Sequence, residues 1–216
     1  MWVRPRPALW LDATVAGGRA VMASGEGHDL ALQLPGRCNQ ANAVTVLGTV
    51  LALGYPAPRA LAALTAMAAV RDVAGRYASI ESGATSARLL LAKNPAGWAE
   101  VFDMLAPPPG SVVVAINART ADGHDPSWLW DVSFERLAGR SVVATGERYL
   151  DLAVRLHYAG VEHVAQPDLV RAVEAAGPGK VDVVANYTSF HQLLARLRSA
   201  GTPAPPGTSS APAGAR

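Results

Sequence analysis

From about Ala84 to Ala200, short apolar runs alternate with helical patterns, and this alternation limits the fold more than any other feature. "SARLLLAKN", "SVVVAIN", "RSVVATG", "VEHVA" and "KVDVVANY" read as strands. "PAGWAEVFDMLA", "ERYLDLAVRLHYAG", "PDLVRAVEAAG" and "TSFHQLLARLRSAG" read as helices between or after them. Strand and helix at this spacing predict a Rossmann-like parallel sheet with helices on both faces. The strands carry few polar residues inside, as expected of strands covered on both sides.

Ahead of this region the pattern differs. Residues 1–36 are rich in Gly and Pro with short apolar alternations, which predicts small hairpin strands. "NQANAVTVLGTVLALGY" predicts a helix stopped by Gly54 and Pro56, and "PAPRALAALTAMAAV" a second one. "DVAGRYASIES" leaves the helical pattern through a turn at Gly75 into a short strand. The expected organisation is residues 1–82, residues 83–200, and a Pro/Ala/Gly/Ser tail at 201–216. The tail holds too little apolar surface to offset its ordering entropy and is expected to be disordered.

Composition narrows the function classes. The net charge is +2 with no Lys/Arg cluster, which gives no case for nucleic acid. Cys38 is the single cysteine, so no disulfide framework forms within the chain, and a reducing cytoplasm is the expected location. No run has signal-peptide character or the length of a transmembrane segment. The five histidines form no metal-ligand pattern, and no metal site is expected. No G-x-x-x-x-G-K-[ST], G-x-G-x-x-G or G-x-S-x-G motif occurs.

Four places carry candidate chemistry, each with a plain structural alternative. Asn39 and Asn42 sit at a helix start, where they either cap it or offer an amide to a nucleotide base. Arg76 follows Gly75 at a turn, either as a solvated surface residue or as a fork for a carboxylate or phosphate. Lys93 and Asn94 lie at the carboxyl end of a strand, where ligands of parallel sheets bind, although Asn94 before Pro95 also reads as a helix cap. "ADGHDPSWLWD" places Asp122, Asp125 and Asp131 with His124, Trp128 and Trp130 after another strand. Asp125 before Pro126 is either a cap or a carboxylate that orients a histidine or holds a metal.

Taken together, "LPGRCNQANAV", "VAGRYASIE", "RLLLAKNPAGWAEVFDML", "ADGHDPSWLWDVSFE" and "VVANYTSFHQLLARLR" resemble MurT-type Mur ligases in content and order, over roughly Trp10 to Arg198. In this family the ligase-like subunit pairs with GatD, a glutamine amidotransferase subunit, to form lipid II isoglutaminyl synthase. The resemblance implies an ATP-dependent, amide-forming carbon–nitrogen ligase that uses ammonia from GatD on the α-carboxyl of the D-glutamate in lipid II. It implies that residues 1–82 are the end of a Mur ligase middle domain and residues 83–200 the family's C-terminal domain. Asn42, and next to it Asn39, match the segment near adenine. Gly75 and Arg76 match the Gly-Arg turn at the joint of the two domains, and Lys93 and Asn94 match the edge facing ATP and substrate.

For the acidic loop, the resemblance implies an aspartate that completes a Cys–His pair in the GatD active site as its orienting carboxylate. Asp125 is the first candidate and Asp122 the second. His124 stands where an arginine is usual, and "NART" is less acidic than the family pattern. The family's phosphate-binding-loop domain has no counterpart in these residues. The expectation is therefore that ATP and Mg2+ serve the full family enzyme, and that this chain alone neither binds them tightly nor ligates. The alternative is a non-catalytic module that docks on the amidotransferase. An unrelated small nucleotide-binding protein is the weakest reading, since the glycine-rich loops are missing.

Overall fold

The computed structural model describes residue 3 and residues 7–201. All but the first residue of the low-complexity tail therefore lies outside the described residues. The first part is a three-stranded antiparallel sheet, β1 (Leu9–Asp12), β2 (Arg19–Met22) and β3 (Gly27–Asp29), covered by α1 (Arg37–Ala52) and α2 (Ala57–Ala68). Its core is Ala20, Leu30, Ala43, Val44, Leu47, Ala60 and Leu64. Pro58 in the first turn and Pro56 before it start α2, since proline needs no helical donor there.

The second part is a six-stranded sheet ordered β4-β5-β9-β6-β7-β8. Its strands are β4 (Tyr77–Ser82), β5 (Thr85–Leu91), β6 (Ser111–Ala115), β7 (Ser141–Thr145), β8 (His163–Ala165) and β9 (Gly179–Ala185). Five strands are parallel, and β4 is antiparallel to β5. The expected all-parallel sheet is thus a mixed one, with a hairpin strand closing one edge. The division expected between residues 82 and 83 is the turn of that hairpin, and the hydrogen-bonded ladder carries the sheet back to Tyr77.

Alternate residues of each strand feed two cores. Leu90, Val112, Val114, Val142, Ala144 and Val184 face α3 (Pro95–Met104) and α4 (Tyr149–Tyr158). Leu89, Val113, Ala115, Val143, Val181 and Val183 face α5 (Leu169–Ala175) and α6 (Tyr187–Gly201). Burial on both faces is why these strands read as unbroken apolar runs. Trp98, Phe102 and Phe134 pack with ring centroids 5.2–6.0 Å apart in the first core, Phe134 edge-on to the other two. Phe134 comes from a second short 3-10 turn, Phe134–Leu137, which follows another at Ser127–Asp131. Arg155 of α4, almost fully buried, fastens both turns by donating to the carbonyls of Leu129 (3.3 Å) and Val132 (2.7 Å) and to Glu135 (2.9 Å).

The connections leave the sheet to opposite sides. Those after β5, β6 and β7 pass over the first core, and those after β8 and β9 over the second. Crevices therefore open at the carboxyl edge beside β9, where ligands bind in sheets of this kind. Among the described residues, no helix is long and apolar enough to cross a membrane.

Candidate functional site

The crevice between β5 and β9 gathers several of the sequence candidates. Leu91 ends β5, and Lys93 and Asn94 follow it. Opposite them, Tyr187 and His191 project from the first turns of α6, their rings 4.5 Å apart. Together with Gly75, Arg76 and Gly97 they line a cavity of about 590 Å³. Arg76 and Leu91 are shared with a second cavity of about 440 Å³, which reaches Cys38, Asn39 and Asn42 of α1. Arg76 thus lines both, and the second lies where α1 meets the six-stranded sheet.

Local geometry explains the residue choices. Gly75 has φ 69°, in the left-handed region, and a Cβ there would stand 3.2 Å from Nε2 of His191. Glycine at 75 therefore meets both demands at once. Asn94 caps α3: its Oδ1 accepts the Gly97 N–H at 2.9 Å. Asn39 and Asn42 do not cap α1, because Gly36 holds the N-cap position and makes no side-chain bond. Asn39 instead donates to the Pro35 carbonyl at 2.6 Å, and Asn42 is exposed at the cavity rim.

The electrostatics favour an anion. The side chains of Arg76 and Lys93 make no hydrogen bond or ion pair among the described residues, so both charges are free for a ligand. An uncompensated cation pair beside the helix start after Asn94 suits a phosphate or carboxylate. Burial, and next to it the Glu100 carboxylate, pushes the Cys38 thiol up, which keeps it protonated and a poor nucleophile. No group of three or more His, Cys, Asp or Glu converges among the described residues.

The acidic loop lies away from this cavity and divides into an anchored half and an exposed half. Asp122 is buried, and its Oδ1 accepts the Thr188 N–H at 2.9 Å while Oδ2 accepts the Thr188 hydroxyl. It thus serves the start of α6 from a distant loop. Asn117 and Asn186 exchange bonds, Asn117 N–H to Asn186 Oδ1 at 3.1 Å and Asn186 Nδ2 to the Asn117 carbonyl at 2.6 Å. Asn117 Oδ1 also accepts the Glu147 N–H at 2.9 Å. Gly146 beside it has φ 93°, and a Cβ there would lie 2.4 Å from the Ile116 carbonyl. Arg119 pairs with Glu147, which raises the arginine pKa and lowers that of the glutamate.

Asp125 is fully exposed. Its Oδ1 accepts the Ser127 N–H at 2.8 Å and its Oδ2 the Ser127 hydroxyl at 3.0 Å. These bonds, the amide first, hold the carboxyl below its ordinary value, so it is ionised at neutral pH. Asp125 is at once a turn cap and a carboxylate presented to solvent in a fixed orientation. Trp128 packs on Trp98 in the core at 6.4 Å, whereas Trp130 is 56% exposed and stacks edge-on against Tyr158 at 5.5 Å. Only the first tryptophan anchors the loop to the core. Asp125 and Asp122 are therefore not neighbours of Arg76, Lys93 and Asn94, and the candidates form two places.

Sequence reasoning missed Asn117, Asn186 and Thr188, which knit these places together. Their signal was present: each stands within three residues of the end of an apolar strand run.

The architecture is that of a Mur ligase-like α/β protein. It superposes on UDP-N-acetylmuramate-alanine ligase MurC from Thermotoga maritima with a TM-score of 0.59 at 17% identity, over 84% of this chain and 43% of that one. Folylpolyglutamate synthase from the same organism gives 0.59 at 18% identity, over 85% and 44%. Within that class, residues 91–190 match the family model of the MurT ligase C-terminal domain. The lipid II isoglutaminyl synthase (glutamine-hydrolyzing) subunit MurT of Streptococcus pneumoniae is 29% identical over 184 residues, 79% of this chain and 40% of the relative. That of Staphylococcus aureus is 33% identical over 132 residues, 57% of this chain and 30% of the relative. The chain thus spans less than half the length of these relatives.

Proposed function

We propose that this chain supplies the C-terminal part of a MurT-type ligase subunit. The reaction is ATP-dependent amidation of the D-glutamate α-carboxyl of lipid II, with ammonia released from glutamine by a GatD-type partner. The observation that carries this reading is the pair of unpartnered cations, Arg76 and Lys93, at the carboxyl edge of a MurT-type domain. A carboxylate does not react with ammonia until it is activated, and activation by ATP brings several negative charges together. Arg76 and Lys93 offset that charge where it accumulates. Asn42 offers the amide donor and acceptor that an adenine edge requires. ATP and Mg2+ belong to the assembled enzyme.

Asp125 acts across the subunit boundary. A carboxylate on the partner histidine fixes its tautomer and stabilises its protonated form. The turn around Ser127 presents Asp125 for that contact in its ionised state. The test uses the complete ligase and its amidotransferase, with glutamine or ammonium as nitrogen source and lipid II amidation followed by mass spectrometry. Asp125→Asn is expected to slow the glutamine-driven reaction by roughly 100-fold and to leave the ammonium-driven one within twofold. Equal losses in both assays would leave Asp125 as a turn cap only.

A further inference from the structure

We propose that Asp122 is a positioning residue that ties the partner-facing loop to the helix lining the anion cleft, so that the two places move as one body. The reaction consequence rests on the function proposed above, while the physical link stands on the hydrogen bonds themselves.

Asp122 is only 9% exposed and lines neither of the two cavities described above; both oxygens accept from Thr188, and Oδ2 also accepts the Arg119 N–H at 3.3 Å. Thr188 is the second residue of α6, between Tyr187 and His191, which line the cleft. Its hydroxyl donates to Asp122 and accepts from Asn117 Nδ2 at 3.0 Å, so the hydroxyl's rotation is fixed from two sides. The negative carboxylate also complements the positive end of α6. On the other side of Asp122, His124 Nδ1 contacts the Ala118 carbonyl at 3.1 Å and closes the loop on itself. Asp125 follows directly. A push on Asp125 from a docked partner therefore passes through Asp122 and Thr188 into the turn that carries Tyr187 and His191. Among the described residues, no other side-chain hydrogen bond from residues 119–131 reaches α6; at the base of the loop, Asn117 Nδ2 also donates to Gln192 Oε1 at 3.3 Å, so Asp122–Thr188 is the link furthest along the loop toward Asp125.

A simple capping role for Asp122 makes a different prediction, because loss of a cap frays α6 and leaves the loop unchanged. Hydrogen exchange on the full chain separates the two. In Thr188→Val, which keeps the shape and removes the hydroxyl, amide protection is expected to fall about tenfold in both 118–125 and 187–192. Thr188→Ser restores both. Asp122→Ala serves as the second variant and loosens the same two segments. In the assembled enzyme, Thr188→Val lowers glutamine-driven amidation more than ammonium-driven amidation, and Thr188→Ser recovers the ratio. Loosening of one segment alone, or an unchanged ratio of the two rates, overturns the proposal. If wild-type enzyme gives no glutamine-driven product while both segments loosen together, the proposed function fails and the physical link is upheld.

Discussion

At the residue scale, the two candidate places depend on single positions with little tolerance. Gly75 is bounded by its own left-handed backbone and by the His191 ring. Gly75→Ala is expected to cost about 1 kcal/mol or more, read as a lowered denaturation midpoint with an unchanged slope. An unchanged midpoint would mean that the turn relaxes freely. Asp125 keeps one bond from the Ser127 amide and one from its hydroxyl. Ser127→Ala removes the second alone, so glutamine-driven amidation should fall severalfold, to a level between wild type and Asp125→Asn. A rate below that of Asp125→Asn would show that Ser127 acts in some other way. The residue types at these positions were legible in the sequence, but their division of labour was not. Asp122 and Asp125 are three residues apart and chemically identical, yet one is buried on Thr188 and the other fully exposed. Only the path of the chain past α6 separates them.

At the scale of elements, apolar runs and caps carried most of the fold. Valine-rich strands buried on both faces leave little doubt about where they lie, and Asp168 before "LVRAVEA" starts α5. Its Oδ1 accepts the N–H groups of Val170 and Arg171, both at 3.0 Å. The Arg171 amide foremost, then the Val170 amide and the Arg196 charge, hold the Asp168 carboxyl below its ordinary 3.8. A depressed folded-state value means stability that is complete above the unfolded value and is lost as pH falls through the folded one. Asp168→Ala should therefore lower stability by about 1 kcal/mol at neutral pH, with the gap from wild type closing only below about pH 3.8. A gap independent of pH, measured by thermal unfolding, would assign the loss to packing instead. Pairing direction was less legible. Nothing in "YASIES" marks β4 as antiparallel, since that follows from a two-residue turn and not from side-chain pattern. The 3-10 turns at 127–131 and 134–137 escaped notice because they are too short to show a helical period, and Arg155 holds them from a distant helix. At α1, two asparagines suggested a cap, but Gly36 takes the N-cap position and Asn39 reaches back to Pro35.

At the scale of the whole molecule, the candidate residues are divided between two surfaces. The proposed anion cleft lies at the carboxyl ends of β5 and β9, and the acidic loop follows the neighbouring strand β6. Sequence alone located the strand edges, because parallel sheets bind at their carboxyl ends. The meeting of Arg76 with Lys93 was not readable, since sixteen residues and a hairpin separate them and only the fold closes that distance. The decisive measurement is the rate of ATP-dependent lipid II amidation with ammonium as nitrogen source, by complete enzyme carrying Arg76→Ala and Lys93→Ala together. Using ammonium removes the partner's glutaminase from the comparison. The double variant is expected to fold and to be at least roughly 100-fold slower than wild type; a rate equal to wild type would contradict the role proposed for Arg76 and Lys93.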